Sequence, residues 1–457
     1  MTAALRPGQW MAWLIALAAA GIAFSGIGPN ALSAPVLGLI ILTIGLWATG
    51  ALPEHLTAIV FFSLIMLFGL APAGVAFSGF ESPALWLICG GLILGVAVQS
   101  TGLGQRLADR LVRVMGTSYA GVIFGVLTMG VVLGFLMPSS MGRVVLLLPI
   151  ALALADSLGF AAGSTGRTGV ILAAVIGTFL VTFSILPANV PNVLLFGLSD
   201  QIYGVVPTYG AWLLLHFPVL GLLKAVVSGI LILILFPARP RAAAAGAPIE
   251  PLSNKDRRLG LILVLALIGF ATDFLHGISP AWISLSAAAV CMVPALGLFG
   301  QRDFAKVNFA SLVYLAGIFG LGALVAESGW GARLGEALAQ IGPFDPAQPL
   351  VNFIALGGTA MAVGLGTTLP GIPAVLTPLA GDLAALSGLP LESVLMTQVV
   401  GFSTPLLPYQ APPLVIAMQL AGIRLIDGTR LLLAIAAATI LLLLPLDYLW
   451  WRLLGAI

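Results

Sequence analysis

Charged residues are scarce in this sequence. They make up 7% of its 457 residues, whereas soluble globular domains have roughly 25%. So small a charged fraction does not fit a protein whose whole surface faces water. The sequence is therefore predicted to be largely enclosed by lipid.

Residues that bind metals or carry out catalysis are also few. The two cysteines, Cys89 and Cys291, lie within apolar runs, where packing is their expected role. His55, His216 and His276 do not have a metal-ligand spacing, and no HExxH, nucleophile-elbow or nucleotide-binding motif is present. These absences argue against an enzyme, a bound cofactor and an ATP-driven pump. The net charge of +2, without a basic cluster, indicates no nucleic-acid partner.

Apolar residues are abundant, at 60% of the chain. Runs of about 20 apolar residues recur, and each is long enough to cross a bilayer core of roughly 30 Å. The predicted spans and broken spans are 10–27, 35–53, 54–71, 83–101, 119–158, 168–205, 210–236, 259–276, 280–299, 309–327, 350–388, 391–422 and 430–450. The segments at 119–158 and 350–388 are each either two crossings or one re-entrant hairpin. We predict an all-α polytopic membrane protein of about eleven transmembrane helices.

Positive charge orients these spans. With the N-terminus in the cytoplasm, all but four of the 18 basic residues fall in cytoplasmic loops. Arg333 and Arg452 fall outside, and Arg143 and Lys224 lie within apolar segments. This distribution predicts a multi-pass protein of a bacterial-type inner (plasma) membrane. Four tryptophans near the ends of the chain are expected to anchor at the membrane interfaces: Trp10, Trp13, Trp450 and Trp451.

The sequence repeats itself across a polar connector. Three pairs of segments match in the same order: VQSTGLGQRLADRL (98–111) with VAESGWGARLGEAL (325–338), LLLPIALALADSLG (146–159) with VLTPLAGDLAALSG (375–388), and LPANVPN (186–192) with LPYQAPP (407–413). An odd number of crossings separates the two copies, so they face opposite ways. Inverted repeats with broken helices are typical of secondary transporters, whose sites lie at the repeat interface. The alternative is that these prolines and glycines only kink packed helices.

The repeats define a domain organisation. We predict N-terminal scaffold helices, a first repeat with a scaffold helix, a hairpin and a broken helix, a cytoplasmic connector, further scaffold helices, and a second repeat. Their bounds are 1–82, 83–236, 237–258, 259–308 and 309–457.

The segment from Pro138 to Gly142 is predicted to be the tip of a hairpin that enters from the cytoplasmic side. Non-helical backbone at membrane depth occurs only where protein or a watery cavity surrounds it. The helix that follows, expected to begin at Gly142, points its N-terminal N–H groups at an anion. Ser139 and Ser140 supply hydroxyls. Arg143 is expected to pair with the anion directly; snorkelling to the surface and pairing with Asp156 are the alternatives.

A second tip, at 364–371, is predicted to open to the outside, with Thr367 and Thr368 as its hydroxyl donors. Breaks in the last segment of each repeat place an amide between two prolines. We expect the substrate to contact Ser139, Ser140, Gly142, Arg143, Thr367, Thr368 and Pro412. The expected ligands of a coupled cation are Ser139, Asn189, Asn192, Thr367 and Gln410. As kink-satisfying amides, Asn189, Asn192 and Gln410 would have no site role, and Lys224 pairs with a distant carboxylate or reaches an interface.

At these residues the chain resembles the divalent anion/sodium symporter family of the ion transporter superfamily. The features that carry the resemblance are the TGLGQRLA segment, the hairpin tip followed by LLLPIALALA, and the LPANVPN break, all of which recur in the second half. The resemblance implies eleven transmembrane helices with two re-entrant hairpins, a homodimer, and a transport domain that moves like an elevator. Family tips carry Ser-Asn-Thr; Ser139, Ser140 and Met141 stand at the first tip here, and Thr367 and Thr368 at the second.

We therefore expect a secondary active transporter of a small di- or tricarboxylate or sulfate-like anion, coupled to sodium. Two alternatives on the same scaffold are a proton-coupled symporter and an anion exchanger. An anion channel is the alternative from another class, and it requires a continuous polar pore rather than a closed site.

Overall fold

The computed structural model describes residues 7–26, 32–104, 106, 118–137, 139–240, 251–330 and 344–457. These residues form helices joined by short turns, and no strand occurs among them. Pro138 of the first predicted tip and Arg333 of the repeat lie outside the described residues, as does the side chain of Trp10.

The helices fall into two halves. The first half contains α1 (Pro7–Ala23), α2 (Ser33–Thr49), α3 (Glu54–Leu67), α4 (Pro83–Thr101), α5 (Tyr119–Leu136), α6 (Ser140–Ser157), α7 (Thr165–Phe179), α8 (Val190–Tyr203) and α9 (Tyr209–Leu235). The second contains α10 (Asn254–Ala271), α11 (Pro280–Cys291), α12 (Phe309–Glu327), α13 (Pro349–Gly366), α14 (Gly371–Ser387), α15 (Leu391–Phe402), α16 (Pro412–Leu420) and α17 (Leu425–Leu453). Short helical turns lie at Ala73–Ala76, Ser78–Phe80, Val181–Ser184, Leu186–Ala188, Asp273–His276, Pro294–Leu296, Gln301–Phe304 and Pro408–Gln410.

Local sequence fixes where several of these helices begin. Hydroxyl side chains just before a helix accept a hydrogen bond from one of its free N–H groups. Ser118 accepts from Gly121 at 3.0 Å, and Thr208 accepts from Ala211 at 3.1 Å. The apolar runs that follow make each helix stable in lipid, since a helix satisfies its own backbone groups.

Eight helices within the described ranges are long and apolar enough to cross a membrane. The pair α14 and α15, bent by 118°, is a ninth candidate. The fold is thus a polytopic helical membrane fold, as the sequence predicts. The figure of eleven transmembrane helices stays a prediction.

The chain turns gather at two faces. We call the first the connector face; it contains Phe236, whose carbonyl accepts from the Tyr119 hydroxyl at 2.8 Å, and Asp256, which pairs with Arg106 at 3.0 Å. Helix α9, with 27 residues, leads from there to the second face, about 40 Å away at 1.5 Å per residue. We call the second the opposite face.

Each ambiguous segment folds back on itself as a helical hairpin, as either two crossings or one re-entrant segment would, and the two hairpins start from different faces. Helices α5 and α6 return to the connector face, where the rings of Tyr119 and Phe160 lie 5.7 Å apart. Helices α13 and α14 return to the opposite face, where the Asn352 amide donates to the Ser387 carbonyl at 2.7 Å. The inverted orientation of the repeats is thereby confirmed.

Equivalent positions of the two halves have equivalent backbone. Gly102 and Gly329 end helices α4 and α12 with φ of 78° and 74°, a conformation that favours glycine. The last helix of each repeat, α9 and α17, is interrupted by a π-helical turn, at Phe217–Leu223 and Thr439–Leu443. The repeat detected in the sequence is therefore also a repeat of local conformation.

Each hairpin packs closely on the first half of its broken helix. A Cβ at Gly130 of α5 would lie 2.4 Å from the backbone of Gly177 in α7, so only glycine permits this approach. In the second half, a Cβ at Gly401 of α15 would lie 2.3 Å from the Cβ of Ala360 in α13 and 2.8 Å from its carbonyl carbon. The halves then cross over, because α8 packs on α14 and α16 packs on α6 and α7.

Two details differ from the sequence-based expectations. Helix α6 begins at Ser140, two residues before the predicted Gly142, because Ser139 is its N-cap. Trp451 is not an interfacial anchor: its side chain is fully buried, with its ring 5.1 Å from that of Phe353. Trp13, by contrast, is 61% exposed, and its position at the interface stays a prediction.

Candidate functional site

The first broken helix is interrupted between Phe179 and Val190. Two short turns replace the regular helix there; Pro187 lies in the second turn, and Pro191 lies in the first turn of α8. Proline has no N–H and clashes with the preceding turn, so carbonyl groups in this region lose their helical partners. In a membrane interior, such carbonyls need other donors.

Arg143 is the donor. Its guanidinium is fully buried, and all five of its N–H groups bond to protein oxygens. The acceptors are the carbonyls of Thr178 (2.8 Å), Ala188 (2.8 Å) and Met137, the hydroxyl of Thr182 (3.0 Å) and the amide oxygen of Asn189 (3.1 Å). The side chain thus connects the first hairpin to both sides of the break.

The surroundings of Arg143 exclude two of the three roles expected for it. It does not snorkel, because its side chain is fully buried. It does not pair with Asp156, which instead pairs with Arg167. Direct pairing with an anion stays a prediction, and it would require the guanidinium to share N–H groups that now hold the break.

The first tip, where α5 and α6 meet, lies against helix α4. The Ser139 hydroxyl accepts from the Gly142 N–H at 3.2 Å, which leaves Ser140, also half-buried, as the neighbouring hydroxyl. A Cβ at Gly95 would lie 3.7 Å from the Cβ of Ser139, and one at Gly142 would lie 2.8 Å from the Gln99 amide nitrogen. Sequence reasoning missed Gln99, although it borders the repeated TGLG motif.

The second break separates Phe402 from Pro412. The Gln410 side-chain oxygen accepts from the N–H groups of Leu406 and Leu407, at 2.7 and 2.8 Å. In the first break, the Asn192 side chain is a donor instead: its amide nitrogen donates to the carbonyls of Phe183 and Ile185 at 3.0 and 2.8 Å. Both amides satisfy the kinks, and the oxygen of Asn192 keeps no hydrogen-bond partner among the described residues.

A second buried basic side chain donates hydrogen bonds at the second break. Lys224 of α9 is fully buried and donates to the Ser403 carbonyl at 2.6 Å, the Ser403 hydroxyl at 3.2 Å and the Thr404 hydroxyl at 3.0 Å. Each broken helix therefore receives hydrogen bonds from a buried basic side chain, and both of these side chains belong to the first repeat. Neither residue is matched by a basic residue at the equivalent position in the other half.

The second tip is joined to the second break. The Leu369 N–H donates to the Gln410 carbonyl at 3.2 Å, and the Tyr409 hydroxyl donates to the Leu365 carbonyl at 2.6 Å. Thr367 and Thr368 are half-buried. They line a cleft whose other wall includes Trp47 of α2 and Tyr314 of α12.

The remaining predicted residues differ in exposure. Asn189 is buried, and its amide nitrogen donates to the Thr182 hydroxyl at 3.0 Å. Pro412 is exposed at the first turn of α16. The two breaks adjoin each other through the rings of Phe183 and Phe402, 5.4 Å apart. The predicted residues therefore fall on the two tips and the two breaks of one interface between the repeats.

The tips are not at symmetric heights. The first tip contacts Gly95 and Gln99, in the half of α4 nearer the connector face. The second tip lies beside Tyr314, in the half of α12 that is also nearer the connector face. Because α4 and α12 are equivalent helices of opposite direction, symmetric heights would place the tips in opposite halves of the membrane. Both hairpins are thus displaced towards the connector face.

Comparison with known proteins agrees with this architecture. The solved structure of the Alcanivorax borkumensis YdaH transporter matches with a TM-score of 0.55 and 21% identity, over 86% of this chain and 89% of that one. A membrane protein of Cupriavidus necator is 24% identical over 82% of this chain and 79% of its own length. An L-tartrate/succinate antiporter of Escherichia coli is 25% identical over 62% of this chain and 60% of its own length.

A family model matches nearly the whole chain, from residue 9 to residue 457, and its description is "Sodium:sulfate symporter transmembrane region". The match covers both hairpins and both broken helices. The protein therefore belongs to the sodium:sulfate symporter transmembrane-region family, a family of membrane anion transporters.

Proposed function

We propose that the protein is a secondary active transporter of a small di- or tricarboxylate or sulfate-like anion. The observation that carries this proposal is the pairing of two oppositely inserted hairpins with two broken helices around one interface. Unwound backbone at membrane depth leaves N–H groups and helix N-termini free to bind an anion. The antiporter relative, whose name specifies dicarboxylates, supports the substrate class.

The proposed anion site lies between the two tips. Ser140 and Thr368 are half-buried and offer hydroxyl donors. In this proposal Ser139, Gly142, Thr367 and Pro412 lie at or near the starts of α6, α14 and α16, whose N–H groups would be further donors to the anion. In this proposal Arg143 contributes positive charge beside the site while it holds the first break in shape.

The proposed mechanism is an elevator type of alternating access. The moving unit would contain the hairpins and broken helices, and helices α1–α4 and α10–α12 would form the scaffold. The shared displacement of both tips towards the connector face supports this mechanism, because a rigid unit that slides along α4 and α12 moves both tips the same way. With the connector in the cytoplasm, this arrangement corresponds to the inward-facing end of the cycle.

Sodium coupling is the prediction from the sequence, and the family description supports it. Sodium prefers oxygen ligands such as carbonyls and hydroxyls. At both breaks, oxygens of this kind accept hydrogen bonds from Arg143 and Lys224 instead. This geometry favours the second candidate, in which tethered cations replace sodium and the protein exchanges anions or couples to protons.

Flux into proteoliposomes tests the proposal. We expect saturable uptake of at least one of succinate, tartrate, citrate and sulfate, with counterflow when the same anion is loaded inside. Current without counterflow would instead show a channel, and no flux of any of these anions would refute the proposed substrate class. Replacement of sodium by choline at fixed pH separates the coupling modes: unchanged uptake supports the tethered cations, and lost uptake supports sodium coupling.

A further inference from the structure

A cluster of buried polar side chains lies between α9 and α17, outside the proposed anion site. Lys224, His216 and Asp447 are each fully buried. The His216 ring lies between those of Trp212, at 4.9 Å, and Trp451, at 5.7 Å. Three ionisable groups in one membrane-embedded contact are costly unless they have a function.

Most of this cluster has no direct partner. Both ring nitrogens of His216 and the indole N–H of Trp212 make no hydrogen bond to the described residues, and the Trp451 indole lies beside the Asp447 carboxylate. Lys224 is close enough to Asp447 for electrostatic interaction, although the two side chains form no direct ion pair. Buried polar atoms of this kind are usually bridged by water, which is also the medium for proton transfer.

The backbone at the cluster is irregular in both helices. The π-helical turn Phe217–Leu223 ends directly before Lys224, and the π-helical turn Thr439–Leu443 lies one turn before Asp447. Such turns inside α-helices are frequent at functional sites. Here each turn lies within one helical turn of a buried charged residue, Lys224 in α9 and Asp447 in α17.

Lys224 links this cluster to the anion site. Its ammonium group holds Ser403 and Thr404 at the start of the second break. The end of the same break holds the second tip through the Gln410 carbonyl and the Tyr409 hydroxyl. A change of charge at Asp447 therefore acts on the backbone that carries the second tip.

We propose that Asp447, together with Lys224 and His216, forms a proton-binding site that couples anion transport to the proton gradient. This inference rests on the proposed function. In the unprotonated state the Lys224 ammonium and the Asp447 carboxylate have a net charge of zero. One proton taken from water forms an O–H bond at Asp447, and the cluster then has a charge of +1 beside the second break.

The positive charge favours anion binding, and the bound anion equally favours proton binding, because coupling between two sites is reciprocal. In a medium of low dielectric constant, this interaction is stronger than in water. Proton and anion would therefore cross the membrane together. Asp447 would carry one proton in each transport cycle.

The other groups near Asp447 leave its carboxylate as the group that binds and releases the proton. Helix α9 contributes Lys224 and His216, and α13, which also packs here, contains no ionisable residue. On its own helix, Tyr448 packs on Phe353, and Arg452 is exposed. The second break contributes Tyr409, which is about half exposed.

The test uses the full chain in proteoliposomes at zero membrane potential, with an anion that the wild type transports. An inward proton gradient of one pH unit is expected to raise wild-type accumulation about tenfold, since a pH unit is a tenfold difference in proton activity. Asp447→Asn is expected to abolish this gain while counterflow continues, and Asp447→Glu is expected to restore part of it. Asp427→Asn is the matched control, because Asp427 lies on the same helix with its carboxylate bonded to Arg424.

A pH indicator inside the vesicles gives an independent readout on the wild type. Anion entry should acidify the lumen, so the inference stays testable even if Asp447→Asn does not fold. The inference would be overturned if wild-type anion accumulation did not change with the proton gradient. It would also be overturned if the Asp447→Asn protein kept the full increase in accumulation. Absence of saturable anion flux in the wild type would instead overturn the proposed function itself.

Discussion

The guanidinium of Arg143 donates to the carbonyl oxygen of Ala188 at 2.8 Å, so a residue of the first hairpin completes the first broken helix. At the second break, the ammonium group of Lys224 in α9 donates to the Ser403 carbonyl oxygen at 2.6 Å. In both cases a long basic side chain donates N–H groups to carbonyl oxygens at a place where the regular helix is interrupted. These two contacts explain how irregular backbone is kept inside a membrane protein.

Replacement of Arg143 tests its structural role. Arg143→Met should lower the unfolding free energy in detergent by at least about 3 kcal/mol, because buried acceptors lose their donors at roughly 1–3 kcal/mol each. Arg143→Lys, with three donors instead of five, should lie between the wild type and Arg143→Met. Thermal unfolding measures both. Wild-type stability in Arg143→Met, combined with lost anion affinity, would favour direct pairing with the substrate.

The tip hydroxyls should separate binding from folding. Ser140→Ala and Thr368→Ala should each weaken anion affinity about tenfold, as expected for a hydrogen bond to a charged group at about 1.5–3 kcal/mol. Ser139→Ala should mainly destabilise the protein by about 1 kcal/mol, because Ser139 caps α6. Thr429→Ala is the control, because the hydroxyl of this half-buried residue donates to the Leu425 carbonyl of its own helix, α17. Substrate-induced thermal stabilisation measures affinity, and unchanged values in both tip variants would refute the proposed site.

A disulfide between Gly95→Cys and Ser139→Cys should stop transport. The Cβ atoms would be 3.7 Å apart, within the range for a disulfide, and the bond would fix the first tip to α4. Uptake should return on reduction. The background variant has Cys89 and Cys291 replaced by alanine, since these are the two natural cysteines.

The matched control for this cross-link is Gly357→Cys with Val400→Cys. Its Cβ atoms would also be 3.7 Å apart, but α13 and α15 both belong to the proposed moving unit. This bond should form and leave transport intact. Full transport through the first cross-link would contradict the elevator mechanism.

The Tyr409 hydroxyl should steady the second tip. Tyr409→Phe removes its bond to the Leu365 carbonyl, so amide hydrogen exchange at residues 365–371 should become faster. Because the ring is about half exposed, global stability should change little. Hydrogen exchange measured by mass spectrometry reports both effects, and unaltered exchange at the tip would show that the bond does not hold it.

Several features of the fold follow from the sequence because they depend on local chemistry. Apolar runs predict the helices, since a bilayer requires each span to satisfy its own backbone. The matched prolines of LPANVPN and LPYQAPP predict the two breaks. The left-handed glycines Gly102 and Gly329 stand at equivalent positions and end equivalent helices.

Side-chain partners were less predictable, because they depend on which distant segments meet. Lys224 and Ser403 are 179 residues apart, and no local pattern indicates that their spans are neighbours. Asp447 had a sequence signal, as a lone acid in an apolar run, but its proximity to Lys224 appears only after α9 and α17 pack. Trp451 was misplaced for the same reason, since composition cannot separate an interfacial tryptophan from a buried one.

The sequence alone determined that the chain lies in a membrane, that it is duplicated in opposite orientations, and that proline and glycine break its helices in matched places. Each of these properties rests on hydrophobicity, charge or backbone restriction over a few neighbouring residues. The positions of Arg143 and Lys224 at the breaks, and the electrostatic interaction of Asp447 with Lys224, follow from the tertiary structure. Such contacts join residues far apart in the chain, and the packing of whole helices fixes them.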